Sequence, residues 1–175
     1  IRYTYIDTAM SIGEKRNWLC KNASHDILIN MDDDDIYFPE YIGHSVDKLI
    51  KTNKDIVGCL DMLFIKPDNN YKVYKIKCDN NYSLLHEASI CMKKSHWNNY
   101  KYNDSSETEG KNIYGKDELC EKTNVYKCLI CTCWSRNTIQ KDKFLMNDIE
   151  ANIQGEHLNI LKNIFNDLFK MESIK

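Results

Sequence analysis

The sequence predicts an α/β fold in which a mixed β-sheet is flanked by helices. Two observations lead to this class: strand-like apolar runs alternate with amphipathic stretches in the first half of the chain, and several strand-like runs follow one another in the second half. Alternating strands and helices favour parallel pairing, whereas consecutive strands favour antiparallel pairing. At 175 residues, of which 42% are hydrophobic, the chain is long enough for one domain with its own core.

The first half of the chain is predicted to form a strand, a helix, a second strand and a second helix. Residues 2–6 alternate and are rich in Tyr and Thr, which favours a short strand, and residues 14–23 favour a helix. The continuous apolar run at 26–31 is typical of a strand buried on both faces. Pro39 suits the first turn of a helix over 39–51, whose apolar residues keep a helical period.

The second half is predicted to contain mostly antiparallel strands and to end in a helix. Strand patterns cover residues 55–65, 71–77, 87–93 and 125–134, with a turn at 67–70. Residues 98–114 are polar and predict a loop, or a loop that leads into a short helix. Residues 150–171 carry one apolar face with a helical period, so they predict a long amphipathic helix.

Composition and charge argue against several classes of protein. The net charge of −2 and the scattered lysines argue against a nucleic-acid-binding protein. No stretch approaches the roughly 18 apolar residues of a membrane span, and the chain shows no secretory signal, so we expect a cytoplasmic protein without a membrane span. The eight cysteines lie mostly in apolar runs and are expected to be buried, reduced thiols. Abundant Lys, Asn, Ile and Tyr indicate an AT-rich genome, such as a viral one.

Four consecutive carboxylates, at Asp32, Asp33, Asp34 and Asp35, end the apolar run at 26–31. Like charges packed together cost free energy unless a cation or a hydrogen-bond network compensates them. Hard divalent cations such as Mg²⁺ and Mn²⁺ prefer carboxylate oxygens, often together with substrate phosphates. An acidic helix N-terminus would account for some of these aspartates. Because the run is longer than helix capping needs, we predict a metal site here.

Residues 13–17 read Gly-Glu-Lys-Arg-Asn, and a helix, a short apolar strand, the acidic run and Pro39 follow them. This succession resembles the centre of family 2 glycosyltransferases of the GT-A fold, in which a DxD motif ends the nucleotide-binding half. The resemblance implies a GT-A-like, Rossmann-like mixed sheet. The family's first strand, helix and second strand, which hold the nucleobase, would precede Ile1, so the resemblance implies a domain truncated at its N-terminus.

The resemblance implies a metal-dependent enzyme that transfers a sugar from a nucleoside-diphosphate sugar to a hydroxyl of a carbohydrate or protein, with inversion at the anomeric carbon. In this interpretation Asp34 binds Mn²⁺ or Mg²⁺ on the diphosphate, with Asp32 or Asp35 as alternative ligands, because a run of four leaves the register open. The metal would neutralise the departing diphosphate.

Four residues are implied on the donor side of the site. Asp32 is expected near the nucleotide ribose, and Asp33 is a further donor-binding candidate. Lys15 and Arg16 would add positive charge near the diphosphate. A solvated helix face is the other interpretation of these two basic residues.

The polar stretch at 103–111 resembles the family's loop that carries the catalytic base. An inverting transferase needs a carboxylate to take the proton of the acceptor hydroxyl. Glu109 is the implied base, because a glycine and a short helix follow it as in the family. Asp104, Glu107 and Asp117 are the alternatives, and an exposed acidic loop without a catalytic role is a further interpretation.

The acceptor side of the site is implied by two further matches. Glu87, with the Ala and Ser after it, and Trp97 resemble the family's acceptor-side strand and aromatic residue. Residues 135–138 resemble a late segment in which an upstream His approaches the metal. This chain has Cys131 and Cys133 in that stretch and no His there, so a third metal ligand from it is not expected.

Residues 1–175 are interpreted as one glycosyltransferase-like domain. Residues 1–52 would form its nucleotide and metal part, 53–148 its acceptor and catalytic part, and 149–175 its C-terminal helix. Two other functions fit parts of the sequence. One is a non-catalytic or degenerate α/β interaction domain derived from a glycosyltransferase, and the other is a different metal-dependent phosphoryl-transfer enzyme.

Overall fold

The computed structural model of the chain describes residues 2–65, 72–78, 81–133 and 149–172, with side chains up to Phe165 in the last segment. The helices of these segments are α1 (Ile12–Asn22), α2 (Tyr41–Thr52), α3 (Lys94–Asn99) and α4 (Gly155–Glu172). None of the helices in these segments is both long and apolar enough to cross a membrane.

The strands form two mixed sheets. They are β1 (Ile27–Ile29), β2 (Ile36–Tyr37), β3 (Ile56–Gly58), β4 (Met62–Ile65), β5 (Val73–Ile76), β6 (Cys91–Lys93), β7 (Cys120–Lys122), β8 (Leu129–Thr132) and β9 (Ile149–Ala151). The first sheet has the order β1–β6–β3–β7, with β3 and β7 parallel and the other pairs antiparallel. The second has the order β2–β8–β4–β5–β9, with β4 and β8 parallel and the other pairs antiparallel. The predicted α/β class with mixed pairing and flanking helices is confirmed.

Several predicted elements differ from the structure. The strand predicted at 2–6 is wrong: this stretch is not a strand and pairs with none of the strands in the described residues, and Tyr3 is 84% exposed. The strand predicted at 55–65 is interrupted, so that β3 lies in the first sheet and β4 in the second. The strands predicted at 87–93 and 125–134 each begin with a short 3₁₀ turn, and the helix predicted from residue 150 begins after β9. The turn predicted at 67–70 lies outside the described residues.

Helix α1 begins with a capping box, which explains why the chain becomes helical there. The Ser11 hydroxyl accepts a hydrogen bond from the Glu14 N–H at 3.1 Å, and the Glu14 carboxylate accepts one from the Ser11 N–H at 2.7 Å. The buried residues Gly13, Arg16 and Cys20 recur at helical spacing on one face. This face therefore directs a charged residue, Arg16, into the protein.

Each sheet has its own apolar core. The core of the second sheet also includes residues of α2 and α4; its members include Phe38, Tyr41, Leu63, Ile65, Leu129 and Phe165. The core of the first sheet includes Leu28, Ile56, Ile90, Met92, Trp97 and Ile113. Seven of the eight cysteines are buried, as predicted from their apolar surroundings. Burial raises the pKa of Cys91 to about 12, so its thiol stays protonated.

The acidic run forms the connection between the two sheets. It follows β1 of the first sheet and directly precedes β2 of the second. The Tyr41 hydroxyl, at the start of α2, donates a hydrogen bond to the Asn30 carbonyl oxygen at 2.8 Å, which fixes the end of β1 against the helix. The four carboxylates therefore lie in a short turn that is anchored on both sides by buried structure.

A buried serine holds the 3₁₀ turn at Glu87–Ser89 in place. The Ser89 hydroxyl accepts a hydrogen bond from the Cys59 N–H at 2.8 Å and donates one to the His86 carbonyl at 2.7 Å. We expect Ser89→Ala to lower the free energy of unfolding by about 1–3 kcal/mol, because the Cys59 N–H would remain buried without an acceptor. Denaturant unfolding of this variant, with exposed Ser95→Ala as control, measures the effect; equal stability of the two variants would contradict it.

Candidate metal and catalytic site

Three of the four aspartates converge at the turn between the sheets. Asp32, Asp34 and Asp35 each place one carboxylate oxygen within 4.8 Å of the others, whereas Asp33 is exposed and outside this group. Thr132, at the end of β8, donates its backbone N–H to Asp35 Oδ1 at 3.1 Å and its hydroxyl to the Asp34 carbonyl oxygen. The second sheet therefore holds the turn in a shape that gathers carboxylates.

Tyr37 joins the acidic turn to the Glu87–Ser89 turn. Its hydroxyl accepts a hydrogen bond from the Asp32 N–H at 2.8 Å and donates one to the Ala88 carbonyl at 3.0 Å. Burial raises the pKa of Tyr37 well above its usual range, so the hydroxyl keeps the proton that it donates. The position of Asp32 is thereby linked to that of the predicted acceptor segment.

Arg16 forms the main electrostatic contact of the site. Its Nη1 lies 2.9 Å from Asp32 Oδ1, and its Nη2 donates a hydrogen bond to Asp32 Oδ2, also at 2.9 Å. Such a bidentate ion pair fixes both the position and the orientation of the Asp32 carboxylate. Burial lowers the pKa of Arg16, but the charge and hydrogen bonds of Asp32, with smaller effects of Tyr102 and Glu109, raise it above its usual range. The guanidinium therefore stays charged inside the protein.

Glu109 lies on the other side of the same guanidinium. Its Oε1 is 3.7 Å from Arg16 Nε, and the residue is only 7% exposed. It begins the 3₁₀ turn at Glu109–Lys111, and its carbonyl oxygen accepts a hydrogen bond from the Asn103 N–H at 2.9 Å. Arg16 therefore lies between the acidic run and the predicted base.

Glu87 approaches the same turn closely. A Cβ atom on Gly110 would lie 2.1 Å from Glu87 Oε1 and 2.4 Å from the Tyr114 hydroxyl, so a larger residue here would displace these side chains. The Tyr114 hydroxyl lies 2.8 Å from both Glu87 Oε1 and the Leu85 carbonyl oxygen. The predicted acceptor-side carboxylate therefore lies beside Gly110, the residue that follows the predicted base.

The remaining candidate bases do not share this position. Asp104 and Glu107 are exposed in the loop before Glu109, and Asp117 is exposed just before β7. Among the four candidates, Glu109 forms the ion pair with Arg16.

Two other candidates differ sharply in exposure. Lys15 is exposed on α1, where a donor could reach it. Trp97 is 6% exposed, and its indole N–H donates a hydrogen bond to Asn17 Oδ1 at 3.0 Å. This burial favours a packing role for Trp97.

Sequence reasoning missed Asn17, which joins α1 to the segment that leads to Glu109. Its Oδ1 also accepts a hydrogen bond from the Tyr102 N–H at 3.1 Å, and its Nδ2 donates one to the Tyr102 carbonyl at 2.8 Å. Asparagine has a low propensity for helix interiors. Its presence in α1 was therefore the signal in the sequence that its side chain forms contacts outside the helix.

Comparison with known protein families identifies the group to which these features belong. The sequence model described as Glycosyl transferase family 2 matches residues 1–119, which is more than half of the chain. The chain belongs to glycosyl transferase family 2. No curated protein sequence matches this family 2 chain. The matched range contains Arg16, the acidic run and Glu109, so the contacts of Arg16 with Asp32 and Glu109 lie within the matched residues.

Family membership supports sugar transfer as the general function, with a nucleotide sugar as donor and an acceptor for the sugar. The two mixed sheets with flanking helices agree with a GT-A-like fold. The segment at 135–138, which resembles a late part of the family, lies outside the described residues.

The donor set of this family 2 domain fits a hard divalent cation. Asp32, Asp34 and Asp35 offer carboxylate oxygens that are close enough to share one ion. Both oxygens of Asp32 are paired with Arg16, and Asp35 Oδ1 accepts a hydrogen bond from the Thr132 N–H. The chemistry of the site therefore suits Mg²⁺ or Mn²⁺ better than metals that prefer nitrogen or sulfur ligands.

Proposed function

We propose that this domain transfers a sugar from a nucleoside-diphosphate sugar to an acceptor hydroxyl, with inversion, and that it uses Mn²⁺ or Mg²⁺. One observation carries the proposal: the buried Arg16 contacts both Asp32, at 2.9 Å, and Glu109, at 3.7 Å. The acidic run and the candidate base therefore belong to one site, although they lie far apart in the sequence.

The donor side of the site is assigned to the acidic turn. Asp34 is the principal metal ligand, with Asp35 and Asp32 beside it, and Asp33 is a donor-binding candidate at the same turn. The bound cation would neutralise the charge of the departing diphosphate. Lys15 is exposed on α1 and would add positive charge near that diphosphate.

The acceptor side is assigned to Glu109 and Glu87. As the acceptor oxygen bonds to the anomeric carbon, the bond from that carbon to the diphosphate oxygen breaks, and Glu109 takes the proton of the acceptor hydroxyl. Glu87 lies beside Gly110 and would accept hydrogen bonds from other acceptor hydroxyls. Direct displacement of this kind inverts the configuration of the sugar.

Glu109→Gln tests this assignment. We expect transfer to fall by at least about 100-fold, because the amide cannot take a proton. Metal-dependent binding of the nucleoside diphosphate should stay within about threefold of the unmodified protein, because the acidic turn is unchanged. Product formation from a panel of nucleotide sugars and acceptors measures the first quantity, and calorimetric titration with UDP, GDP, CDP, ADP and dTDP plus Mn²⁺ measures the second.

The exposed Glu118→Gln serves as the control for removal of one negative charge. If transfer survives in Glu109→Gln but is lost in Asp104→Asn, Glu107→Gln or Asp117→Asn, the base lies at that residue. If no nucleoside diphosphate gives metal-dependent heat, the chain is better described as a non-catalytic interaction domain. Hydrolysis of phosphoesters in place of sugar transfer would favour the phosphoryl-transfer alternative.

A further inference from the structure

The side chain of Arg16 is enclosed more completely than a donor-binding cation requires. It is 10% exposed, and each of its two terminal nitrogens lies 2.9 Å from a different oxygen of Asp32. The ring of Tyr102 lies 5.9 Å from the guanidinium carbon. A diphosphate that bound this group would have to compete with Asp32 for it.

The third nitrogen of the guanidinium, Nε, faces Glu109. Nε is buried and has no hydrogen-bond partner among the described residues. Its distance of 3.7 Å to Glu109 Oε1 is longer than a hydrogen bond, so the attraction here is between charges. Charge attraction therefore holds Glu109 near Arg16, but the Glu109 carboxylate does not accept a hydrogen bond from Arg16 Nε.

We propose that Arg16 is a positioning residue that fixes Asp32 and Glu109 relative to each other and does not contact the donor diphosphate. This inference rests on the proposed function of the site. Arg16 compensates the charge of Asp32 and fixes this carboxylate beside the proposed metal ligand Asp34. It also orients Glu109 by charge, which leaves the carboxylate able to receive the proton of an acceptor.

Two substitutions separate a positioning role from a donor-binding role. Lysine keeps the positive charge of Arg16 but lacks the planar guanidinium that pairs with both oxygens of a carboxylate, whereas glutamine removes the charge. If Arg16 positions the carboxylates, Arg16→Lys and Arg16→Gln both lose turnover at saturating donor by about 100-fold, since small misplacements of reacting groups have effects of this size. In both variants the Kd for the tightest-binding nucleoside diphosphate with Mn²⁺ should stay within about threefold. Lys21→Gln, on the exposed side of α1, is the matched control.

The opposite pattern would overturn the inference. If Arg16→Lys keeps both turnover and nucleotide affinity while Arg16→Gln loses nucleotide affinity, Arg16 acts as a charge on the diphosphate. Normal turnover in both variants would equally reject a positioning role.

A second measurement does not depend on activity. Unfolding midpoints are compared for Arg16→Gln, Asp32→Asn and Glu109→Gln and for the two double variants that contain Arg16→Gln. If Arg16 holds both carboxylates, each double variant loses less than the sum of its single variants. Additive losses for Arg16 and Glu109 would show that they do not interact. Should Arg16→Gln fail to fold, Arg16→Lys takes its place in the comparison.

These measurements also separate this inference from the proposed function. If the unmodified protein shows no metal-dependent nucleotide binding, the proposed function is rejected. The unfolding midpoints would still show whether Arg16 interacts with Asp32 and Glu109. If metal-dependent binding and transfer are normal but the losses in unfolding midpoint are additive, the positioning role is rejected and the proposed function stands.

Discussion

Replacing Gly13 with alanine is expected to destabilise the protein by about 3 kcal/mol, because the new methyl group meets backbone that cannot move aside alone. A Cβ atom at this position would lie 1.6 Å from the Asn103 carbonyl oxygen and 3.1 Å from Glu109 Cβ. The Gly13 N–H donates a hydrogen bond to the Ser105 carbonyl at 2.9 Å. The close approach of α1 to the loop before Glu109 therefore depends on the missing side chain.

The same substitution should impair the site as well as the fold. Pushing the loop away from α1 also moves Glu109 away from Arg16, which lies on the same face of the helix as Gly13. Denaturant unfolding measures the stability, and the transfer assay measures the loss of activity.

A glycine in α2 provides the matched control for this prediction. A Cβ atom on Gly43 would meet nothing within 4 Å, so Gly43→Ala should stabilise the protein by about 0.8 kcal/mol through helix propensity. Equal effects of the two substitutions would show that α1 does not approach the loop as closely as the structure has it.

The elements that sequence reasoning predicted correctly are those in which the signal is local. The helix predicted at 14–23, the apolar run of β1 and the helical period of α2 are each indicated by residues close together in the sequence. The stretch at 2–6 shows the limit of such signals. Its alternation is typical of a strand, but a strand forms only against a partner, and no described strand pairs with it.

The contacts of the site could not be predicted from local patterns, because they join residues that are distant in the sequence. Asn17 and Tyr102 are 85 positions apart, and no periodicity reports such a pairing. The acidic run was visible as a charge cluster, and the family resemblance supplied Glu109. Neither of them predicted that Arg16 would lie buried between the two.

Asp34→Asn is expected to abolish metal-dependent nucleotide binding. Asp34 is exposed at the acidic turn, and one of its carboxylate oxygens lies within 4.8 Å of those of Asp32 and Asp35. Asparagine keeps the size of the side chain but removes the charge that faces a divalent ion. We expect the affinity for the nucleoside diphosphate in the presence of Mn²⁺ to fall by at least about 100-fold, or about 2.7 kcal/mol.

Calorimetric titration with and without Mn²⁺ measures this loss. Because Asp34 is exposed, the free energy of unfolding should change by no more than about 0.5 kcal/mol, so a large loss of affinity would not reflect misfolding.

The neighbouring aspartates decide which carboxylate holds the metal. Asp26→Asn, at the other end of β1, removes the same charge outside the acidic turn and should leave the affinity unchanged. Asp35 has the Thr132 N–H as a hydrogen-bond donor, so its carboxylate is oriented by β8 in addition to any metal. If Asp34→Asn binds normally and Asp35→Asn does not, Asp35 is the principal ligand. If a double variant with Asp34→Asn and Asp35→Asn still binds normally, the metal is not held by these two residues, because the group that remains of the three is Asp32, whose two oxygens already accept from Arg16.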